Sequence, residues 1–145
     1  MEIGKGKLER VESTDRFLPV RDFTDLETWQ LARELRKGIY QVCKSFPREE
    51  TLGLTSQIKR AAISITANIA EGFGRFSYQE NIQFCRQSRG SVYEVRDHLT
   101  TGLDAGFLSK EKFDELNAKS ISVIKLLNGY IRATTLRKNS KGMAH

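Results

Sequence analysis

Apolar side chains recur every three or four positions in four separate stretches of the chain, which is the period of helices that bury one face. In the first stretch, residues 24–27 (Thr-Asp-Leu-Glu) have the sequence of a capping box, in which Thr24 and Glu27 bond each other's backbone N–H groups. Pro47 predicts that this helix ends near Phe46, because proline lacks an N–H and restricts the residue before it. The apolar face consists of Leu26, Trp29, Ala32, Leu35, Ile39, Val42 or Cys43, and Phe46.

The second helix is predicted over residues 54–71, with Gly72 as a left-handed C-cap. Its stretch AAISITANIA, residues 61–70, places apolar or small side chains on nearly every face, and a helix of that kind is usually buried all round. We favour burial of its outer face by another subunit. The alternative is a central helix packed within one chain. The main stripe consists of Leu54, Ile58, Ala61, Ile65 and Ile69.

A second capping-box sequence, Ser77 to Glu80, begins the third helix, and Gly106 ends it. Ser109 is the predicted N-cap of the fourth helix. The stripe of the third helix repeats nearly every seven residues, as in near-antiparallel bundles; it consists of Tyr78, Ile82, Cys85, Ser88, Val92, Val95, Leu99 and Leu103. The stripe of the fourth consists of Phe113, Leu116, Ser120, Val123 or Ile124, Leu127, Ile131 and Thr134.

The predicted fold is therefore all-α, an up-down-up-down antiparallel four-helix bundle over residues 23–135. No strand pattern competes with these helices. Residues 1–22 have no sustained period and are expected to form a flexible N-terminal arm. Residues 136–145 are expected to form a frayed basic tail.

The composition is that of one globular domain. The chain has 145 residues, 39% hydrophobic and 29% charged, and is long enough to bury a core without disulfides or metals. No run approaches the ~18 apolar residues of a membrane helix, and the charged N-terminus lacks the apolar segment of a signal peptide. Cys43 and Cys85 stand apart without a paired spacing, which suits a reducing compartment. We therefore expect a cytoplasmic protein without a membrane partner.

Candidate catalytic groups do not converge in the sequence. The chain has 2 histidines, too few for a histidine zinc site, and carboxylate pairs such as Glu49-Glu50 fall in a loop or on solvated helix faces. Gly72 and Gly74 follow a helix rather than the strand that a phosphate-binding loop requires. We therefore predict a non-enzymatic protein with no catalytic residue, no metal site and no cofactor.

Basic residues are the remaining candidates for function. The chain has 24 Lys and Arg against 18 Asp and Glu, a net charge of +6, and half of that excess lies in residues 136–145. Arg86, Arg89, Tyr93 and Arg96 line one side of the third helix, an arrangement that suits the phosphate backbone of nucleic acid. The predicted nucleic-acid-binding residues are Lys59, Arg60, Arg75, Arg86, Arg89, Arg96, Arg137 and Lys138.

Two segments of the second helix, residues 56–65 (SQIKRAAISI) and 68–72 (NIAEG), strongly resemble the bacterial four helix bundle protein family, also called the 23S rRNA intervening-sequence proteins. The resemblance covers about residues 23–135 and departs at Thr66, where the family often has proline. It also departs at Cys85 and Ser88, where leucine and alanine are usual. The other matching residues are Leu26, Trp29, Gln30, Ala32, Leu35, Tyr40, Phe46-Pro47, Arg75, Ser77, Phe84, Arg89-Gly90-Ser91 and Glu94.

The resemblance implies a four-helix bundle that assembles as a homopentamer and has no catalytic activity. The family is similar to accessory proteins of diversity-generating retroelements, which bind a reverse transcriptase and nucleic acid through a basic pentamer surface. We expect structural or oligomer-forming roles for Trp29, Ile63, Asn68, Glu71 and Glu94.

Two hypotheses about function remain open at this stage. The leading one is a non-enzymatic oligomeric bundle that binds RNA or DNA through its basic residues. The alternative is a protein-interaction scaffold, such as an accessory subunit of a retroelement reverse transcriptase. In that case the arginines would be structural, with Arg89 or Arg60 paired to Glu71 or Glu94 inside the bundle or across a subunit interface.

Overall fold

Four helices account for most of the chain in the computed structural model, which describes residues 8–11 and 16–143, with side chains described over residues 20–141. Short 3-10 segments, Phe23–Asp25 and Arg48–Glu50, precede the first and second helices. The helices are α1 (Glu27–Cys43), α2 (Leu54–Phe73), α3 (Tyr78–Asp104) and α4 (Lys110–Met143).

The N-terminal region contains a β-hairpin that the sequence pattern did not predict. Strands β1 (Leu8–Val11) and β2 (Arg16–Pro19) pair antiparallel, and β1 lies close to α1. A strand of four residues places only two side chains on each face. Alternation of apolar and polar residues cannot be recognised in so short a segment. The rest of the predicted arm, residues 1–7 and 12–15, lies outside the described residues.

The structure has a capping box that begins two residues before the predicted one, at Asp22 instead of Thr24. Asp22 accepts from the backbone N–H of Phe23, and the Asp25 carboxylate accepts from the backbone N–H of Asp22, so the box caps the 3-10 segment. Thr24, the predicted N-cap, donates to Asp22, and the N-cap residue of α1 is Leu26, whose side chain forms no capping bond. An ionised aspartate accepts more strongly than a threonine hydroxyl, which favours the earlier register.

Gly72 is not the C-cap of α2. The helix continues through Phe73 and ends at Gly74, whose φ of −77° is right-handed; among the glycines described, Gly106 after α3 has the positive φ, 80°. A Cβ on Gly72 would lie 2.9 Å from Phe84 Cβ. Glycine at this position therefore serves the close approach of α3 to α2 rather than a turn.

The ends of the other helices differ from prediction in smaller ways. Helix α1 ends at Cys43, and the buried Phe46 lies in the turn that follows. Ser77 accepts from the backbone N–H of Glu80, as predicted, but its hydroxyl donates to the Glu80 carboxylate, so only half of the capping box forms. The predicted N-cap Ser109 accepts from the backbone N–H of Lys112.

Helix α4 is longer than predicted, so residues 136–143 extend it instead of forming a frayed tail. The sequence between Thr134 and Lys141 has no proline or glycine to stop a helix. The ammonium group of Lys141 also lies 5.6 Å from the centre of the Tyr78 ring, which ties this extension to the start of α3.

The helices enclose one core, with α2 packed against α1 and α3, and α4 packed against α3 and α1. Between neighbouring helices, residues further along one helix contact residues nearer the start of the other. The contacts are Arg36–Thr66 and Tyr40–Lys59 for α1 with α2, Ser88–Ile65 and Ser91–Ser64 for α2 with α3, Asn81–Tyr130 and Arg96–Asn117 for α3 with α4, and Gly38–Leu116 for α1 with α4. A further bond, Ser45–Phe107, joins the turn after α1 to the connection before α4.

Helix α2 is not buried on all sides within the single chain. Ile65 and Ile69 are fully buried, whereas Ile63 is 45% exposed and Ala67 is also exposed. Thr66, at the position where proline was expected from the resemblance, lies within an unbroken helix and accepts a hydrogen bond from Arg36 at 2.8 Å. One outer face of α2 therefore remains uncovered by the chain itself.

Gly72→Ala is expected to lower the free energy of unfolding by about 1–3 kcal/mol, because its Cβ would crowd Phe84 and Asn81 on α3. Gly90→Ala is the matched control, since a Cβ there meets nothing within 4 Å and improves helix propensity by about 0.5–1 kcal/mol. Urea denaturation followed by circular dichroism at one protein concentration measures both. A Gly72→Ala protein as stable as the wild type would show that the close approach is not required.

Candidate nucleic-acid interface

The predicted arginine row of α3 faces α4. The guanidinium of Arg89 donates to the side-chain carbonyl of Asn128 at 2.6 Å, and Arg96 Nε donates to Asn117 Oδ1 at 3.0 Å. Both contacts are partly buried, whereas Arg86 is exposed. The groove between α3 and α4 therefore holds two of the three arginines in fixed positions.

The partners of these arginines are neutral amides, so their charge is not balanced by direct carboxylate contact. Among the described residues, no ion pair includes Arg86, Arg89 or Arg96. An amide oxygen orients a guanidinium without neutralising it. The row consequently keeps its positive charge.

Within the described part of the single chain, Arg89 and Arg60 do not pair with Glu71 or Glu94, and pairing across a subunit interface stays a prediction. Glu71 pairs with Arg75 at 2.7 Å, and Glu94 accepts from or pairs with His98 at 3.2 Å, each four residues along the same helix. Arg60 donates to Gln57. Pairs at this spacing form readily on a helix surface. They leave the arginines that face α4 without a carboxylate partner.

Two cations on α4 join the row, and neither could be identified from the sequence pattern. Lys125 and Arg132 lie three residues before and four residues after Asn128, so they extend from the same side of α4 as the amide that holds Arg89. Both are exposed. Only the contact between Arg89 and Asn128 reveals which side of α4 meets the row. We call this surface the α3–α4 basic face, which consists of Arg86, Arg89, Arg96, Lys125 and Arg132.

Tyr93 and Asp97 lie beside this face on α3. Tyr93 is 53% exposed, and the Arg96 guanidinium lies 5.4 Å from its ring centre. Asp97 follows Arg96 on α3 and is exposed. The five cations of the face form no ion pair among the described residues, so the face carries a positive field.

The remaining predicted basic residues lie elsewhere. The ammonium group of Lys59 lies 4.9 Å from the ring centre of Tyr40 between α1 and α2, and Arg60 lies on the exposed side of α2. Arg75 follows α2, pairs with Glu71 and Glu80, and lies over the Phe84 ring at 4.9 Å. The predicted set of eight is therefore divided among separate surfaces.

Arg75 and Lys138 meet at one end of the bundle. An open cleft of about 580 Å³ lies there between the α2–α3 turn and the end of α4. Arg137, beside Lys138 on α4, is half-buried. We call this space the terminal cleft; its lining residues are Gly74, Arg75, Phe76, Ser77, Tyr78, Gln79, Asn81, Lys138 and Lys141.

The predicted structural residues have different surroundings. Trp29 is half-buried, and its ring meets that of Phe23 edge-on at 5.2 Å. Asn68 is half-buried and donates to the backbone carbonyl and the hydroxyl of Ser64, each at 2.9 Å. Ile63, by contrast, points away from the core.

Both cysteines are free and buried. Burial raises the pKa of the Cys43 thiol, and the positive charge of Lys59 partly opposes that rise. Cys85 donates to Asn81 at 3.7 Å on the buried stripe of α3. Within the described ranges, no three His, Cys, Asp or Glu side chains come together as a possible metal site.

None of the helices in the described part of the chain is long and apolar enough to cross a membrane.

The model of the family described as "23S rRNA-intervening sequence protein" matches residues 24–129. No curated protein matches the sequence.

A crystal structure with a similar fold is that of a protein of unknown function from the S23 ribosomal protein family of Bacteroides thetaiotaomicron. The two chains are 23% identical and superpose with a TM-score of 0.67. The similarity covers 72% of this chain and 97% of the other. At this identity the likeness supports the four-helix fold and nothing finer.

Because the pKa of Cys43 is raised, its reaction with iodoacetamide is expected to need a higher pH than the reaction of an exposed thiol. Lys59→Met should raise the midpoint of this reaction further, since it removes the opposing charge, while Lys125→Met on α4 serves as the control. Mass spectrometry of digested protein separates Cys43 from Cys85. A midpoint at or below that of an exposed thiol would contradict the assignment.

The same shift has a consequence for stability. A thiol whose pKa is raised by folding contributes stability that is present below its ordinary pKa and is lost as the pH rises through the raised value. The free energy of unfolding should therefore fall on the alkaline side.

Proposed function

The chain belongs to the 23S rRNA-intervening sequence protein family, and from that membership and the charge of the α3–α4 basic face we propose that it is a non-enzymatic, oligomeric four-helix bundle that binds RNA or DNA. The observation that carries the proposal is the pairing of Arg89 and Arg96 with asparagines. These contacts favour an anion-binding role over a purely structural one, because buried structural arginines are usually paired with carboxylates.

The geometry of the face suits a phosphate backbone. Arg86 and Arg96 are separated by ten residues of helix, which spans about 15 Å. That length corresponds to about four phosphates of one strand along a duplex axis. Planar guanidinium groups bind phosphate through paired N–H donors, and amide contacts that fix the guanidinium reduce the side-chain entropy lost on binding.

The face offers few groups that could read a base sequence. Its members are cations, and Tyr93 is the aromatic side chain among them. Phosphate contacts position a nucleic acid without specifying its sequence. We therefore propose affinity for duplex or structured nucleic acid with little sequence preference and a strong dependence on salt.

We further propose an up-down-up-down helix order and assembly into a homo-oligomer, with a pentamer as the state that family resemblance suggests. This order is supported by the interhelical contacts, in which later residues of one helix contact earlier residues of the next. The uncovered face of α2, where Ile63 and Ala67 are exposed, supports the assembly. Several copies in one ring would repeat the basic face and increase its avidity for one nucleic acid.

The same α2 face supports the second candidate function, a protein-interaction scaffold such as an accessory subunit of a reverse transcriptase. An apolar patch rimmed by polar residues fits either a second copy or another protein. The two free, buried cysteines fit a reducing compartment, and we place the protein in the cytoplasm.

Asn128→Asp tests the nucleic-acid proposal by neutralising Arg89 without removing it. Affinity for a blunt RNA duplex should fall, and the slope of log affinity against log salt should decrease by about 1. Fluorescence anisotropy from about 50 to 200 mM salt measures this. Stability should stay equal or rise, because Arg89 gains a charged partner at the distance it already holds, 2.6 Å.

Gln41→Glu on the exposed side of α1 is the control, since it makes a similar change in net charge away from the face. Equal losses in both variants would point to net charge alone and would remove the α3–α4 basic face from the proposal. If no nucleic acid binds the wild-type protein at the lowest salt, the proposed function is wrong.

Ile63→Lys tests the assembly. We expect light scattering to show an oligomer for the wild type and a smaller species for the variant, because a charge on the α2 face would be buried between copies. Leu52→Lys is the control, since Leu52 is 92% exposed in the α1–α2 connection. A wild-type monomer at micromolar concentration would refute the assembly.

A further inference from the structure

We propose that the terminal cleft binds an unpaired nucleotide, with its base stacked on Phe76 and its phosphate held by Lys138 and Lys141. This inference rests on the proposed nucleic-acid function. It assigns a separate, single-strand-specific site at the end of the bundle, whereas the α3–α4 basic face meets a duplex backbone.

Phe76 is the aromatic platform of this site. It lies in the turn between α2 and α3 and is 108% exposed, so both sides of its ring are open to solvent. The ring of Tyr78 lines the same cleft. Exposed aromatic rings beside cations are the usual platform on which unpaired bases stack, and stacking of this kind tolerates any base.

Lys138 and Lys141 supply the charge. They lie three residues apart on α4, so both extend from one side of the helix, and both line the cleft. Neither takes part in an ion pair among the described residues. Lys141 is held over the Tyr78 ring at 5.6 Å, which positions its ammonium group beside the aromatic wall.

Arg75 has a different role, because its charge is already balanced. Its guanidinium pairs with Glu71 at 2.7 Å and with Glu80 at 3.5 Å, and it lies over Phe84. These contacts fix the turn that carries Phe76. Glu71 and Glu80 thus balance the charge of Arg75, and Lys138 and Lys141 provide the unbalanced charge of the cleft lining.

The geometry selects unpaired nucleotides over duplex. Bases in a duplex are stacked on their neighbours and cannot present a face to Phe76, whereas an unpaired base can leave the strand and stack on the ring. The cleft volume of about 580 Å³ lies within the range of small-ligand sites. Gln79, which is exposed, offers an amide for the edge of the base.

Phe76→Ala is the direct test, because a fully exposed side chain can be removed without opening the core. Fluorescence anisotropy would compare single-stranded RNA and DNA of one sequence, about 12 nucleotides long, with a blunt RNA duplex. We expect about 5- to 10-fold weaker binding of the single strands and unchanged binding of the duplex. Comparison of RNA with DNA shows whether the ribose 2′-hydroxyl contributes.

Leu52→Ala is the matched control. Leu52 is as exposed as Phe76 but lies in the connection at the other end of α2, whose 20 residues span about 30 Å. Lys138→Ala with Lys141→Ala should reduce the salt slope of single-strand binding by about 1.4, since each single-strand phosphate contact contributes about 0.7, and leave the duplex slope unchanged. Leu52→Ala should change neither.

The outcomes separate this inference from the proposed function. If duplex and single strands both bind but Phe76→Ala leaves single-strand affinity unchanged, the cleft is not the site and the nucleic-acid function stands. Equal weakening of duplex and single strand by Phe76→Ala would also overturn the single-strand assignment. If neither nucleic acid binds at about 50 mM salt, the proposed function and this inference both fail.

Discussion

At Gly72 the backbone of α2 comes so close to α3 that a single added carbon would lie 2.9 Å from Phe84 Cβ and 2.8 Å from the side-chain oxygen of Asn81. Two hydroxyl contacts continue this close packing: Ser88 donates to the backbone carbonyl of Ile65 at 2.8 Å, and Ser91 to Ser64 at 2.9 Å. Because these contacts fix the rotation of α3 about its axis, they also determine which of its residues face α4.

The rotation of α3 places the arginine row in the groove toward α4. Arg89 and Arg96 follow the buried residues Ser88 and Val95, so each is turned about 100° from the α2 contact. At that angle their side chains reach Asn128 and Asn117 rather than solvent. The functional surface is therefore a consequence of how the core packs.

Much of the fold could be predicted because the helical period is long and regular. All five predicted stripe positions of α2 are buried, and so are the six predicted positions of α3 from Ile82 to Leu99. Tyr78 and Leu103, at the ends of the predicted α3 stripe, are only half-buried. The burial of Thr66, Asn81 and Gly102 was not predicted. The capping hydrogen bonds could not be predicted where several neighbouring residues are suitable acceptors. Thr24 and Asp22 both suit an N-cap, and only the folded chain shows that Asp22 and Asp25 close the box.

The candidate site was predicted less completely, for a physical reason. The spacing of Arg86, Arg89 and Arg96 shows that they share a side of one helix, but the partners of that side depend on contacts between residues up to 39 positions apart. Lys125 and Arg132 were missed because their positions on α4 have meaning only relative to Asn128. Gly72 was misassigned because a glycine at a helix end and a glycine at a helix contact have the same sequence context.

The two basic surfaces both include residues of α3, although their chemistry differs. Arg86 is eight residues from Tyr78, a distance of about 12 Å along the helix. The basic face consists mainly of guanidinium groups, whereas the terminal cleft has aromatic rings beside ammonium groups. A nucleic acid in which a duplex gives way to unpaired bases offers both kinds of partner within that distance. The arrangement of charge along α3 and α4 thus favours a structured strand with a single-stranded end over a uniform duplex.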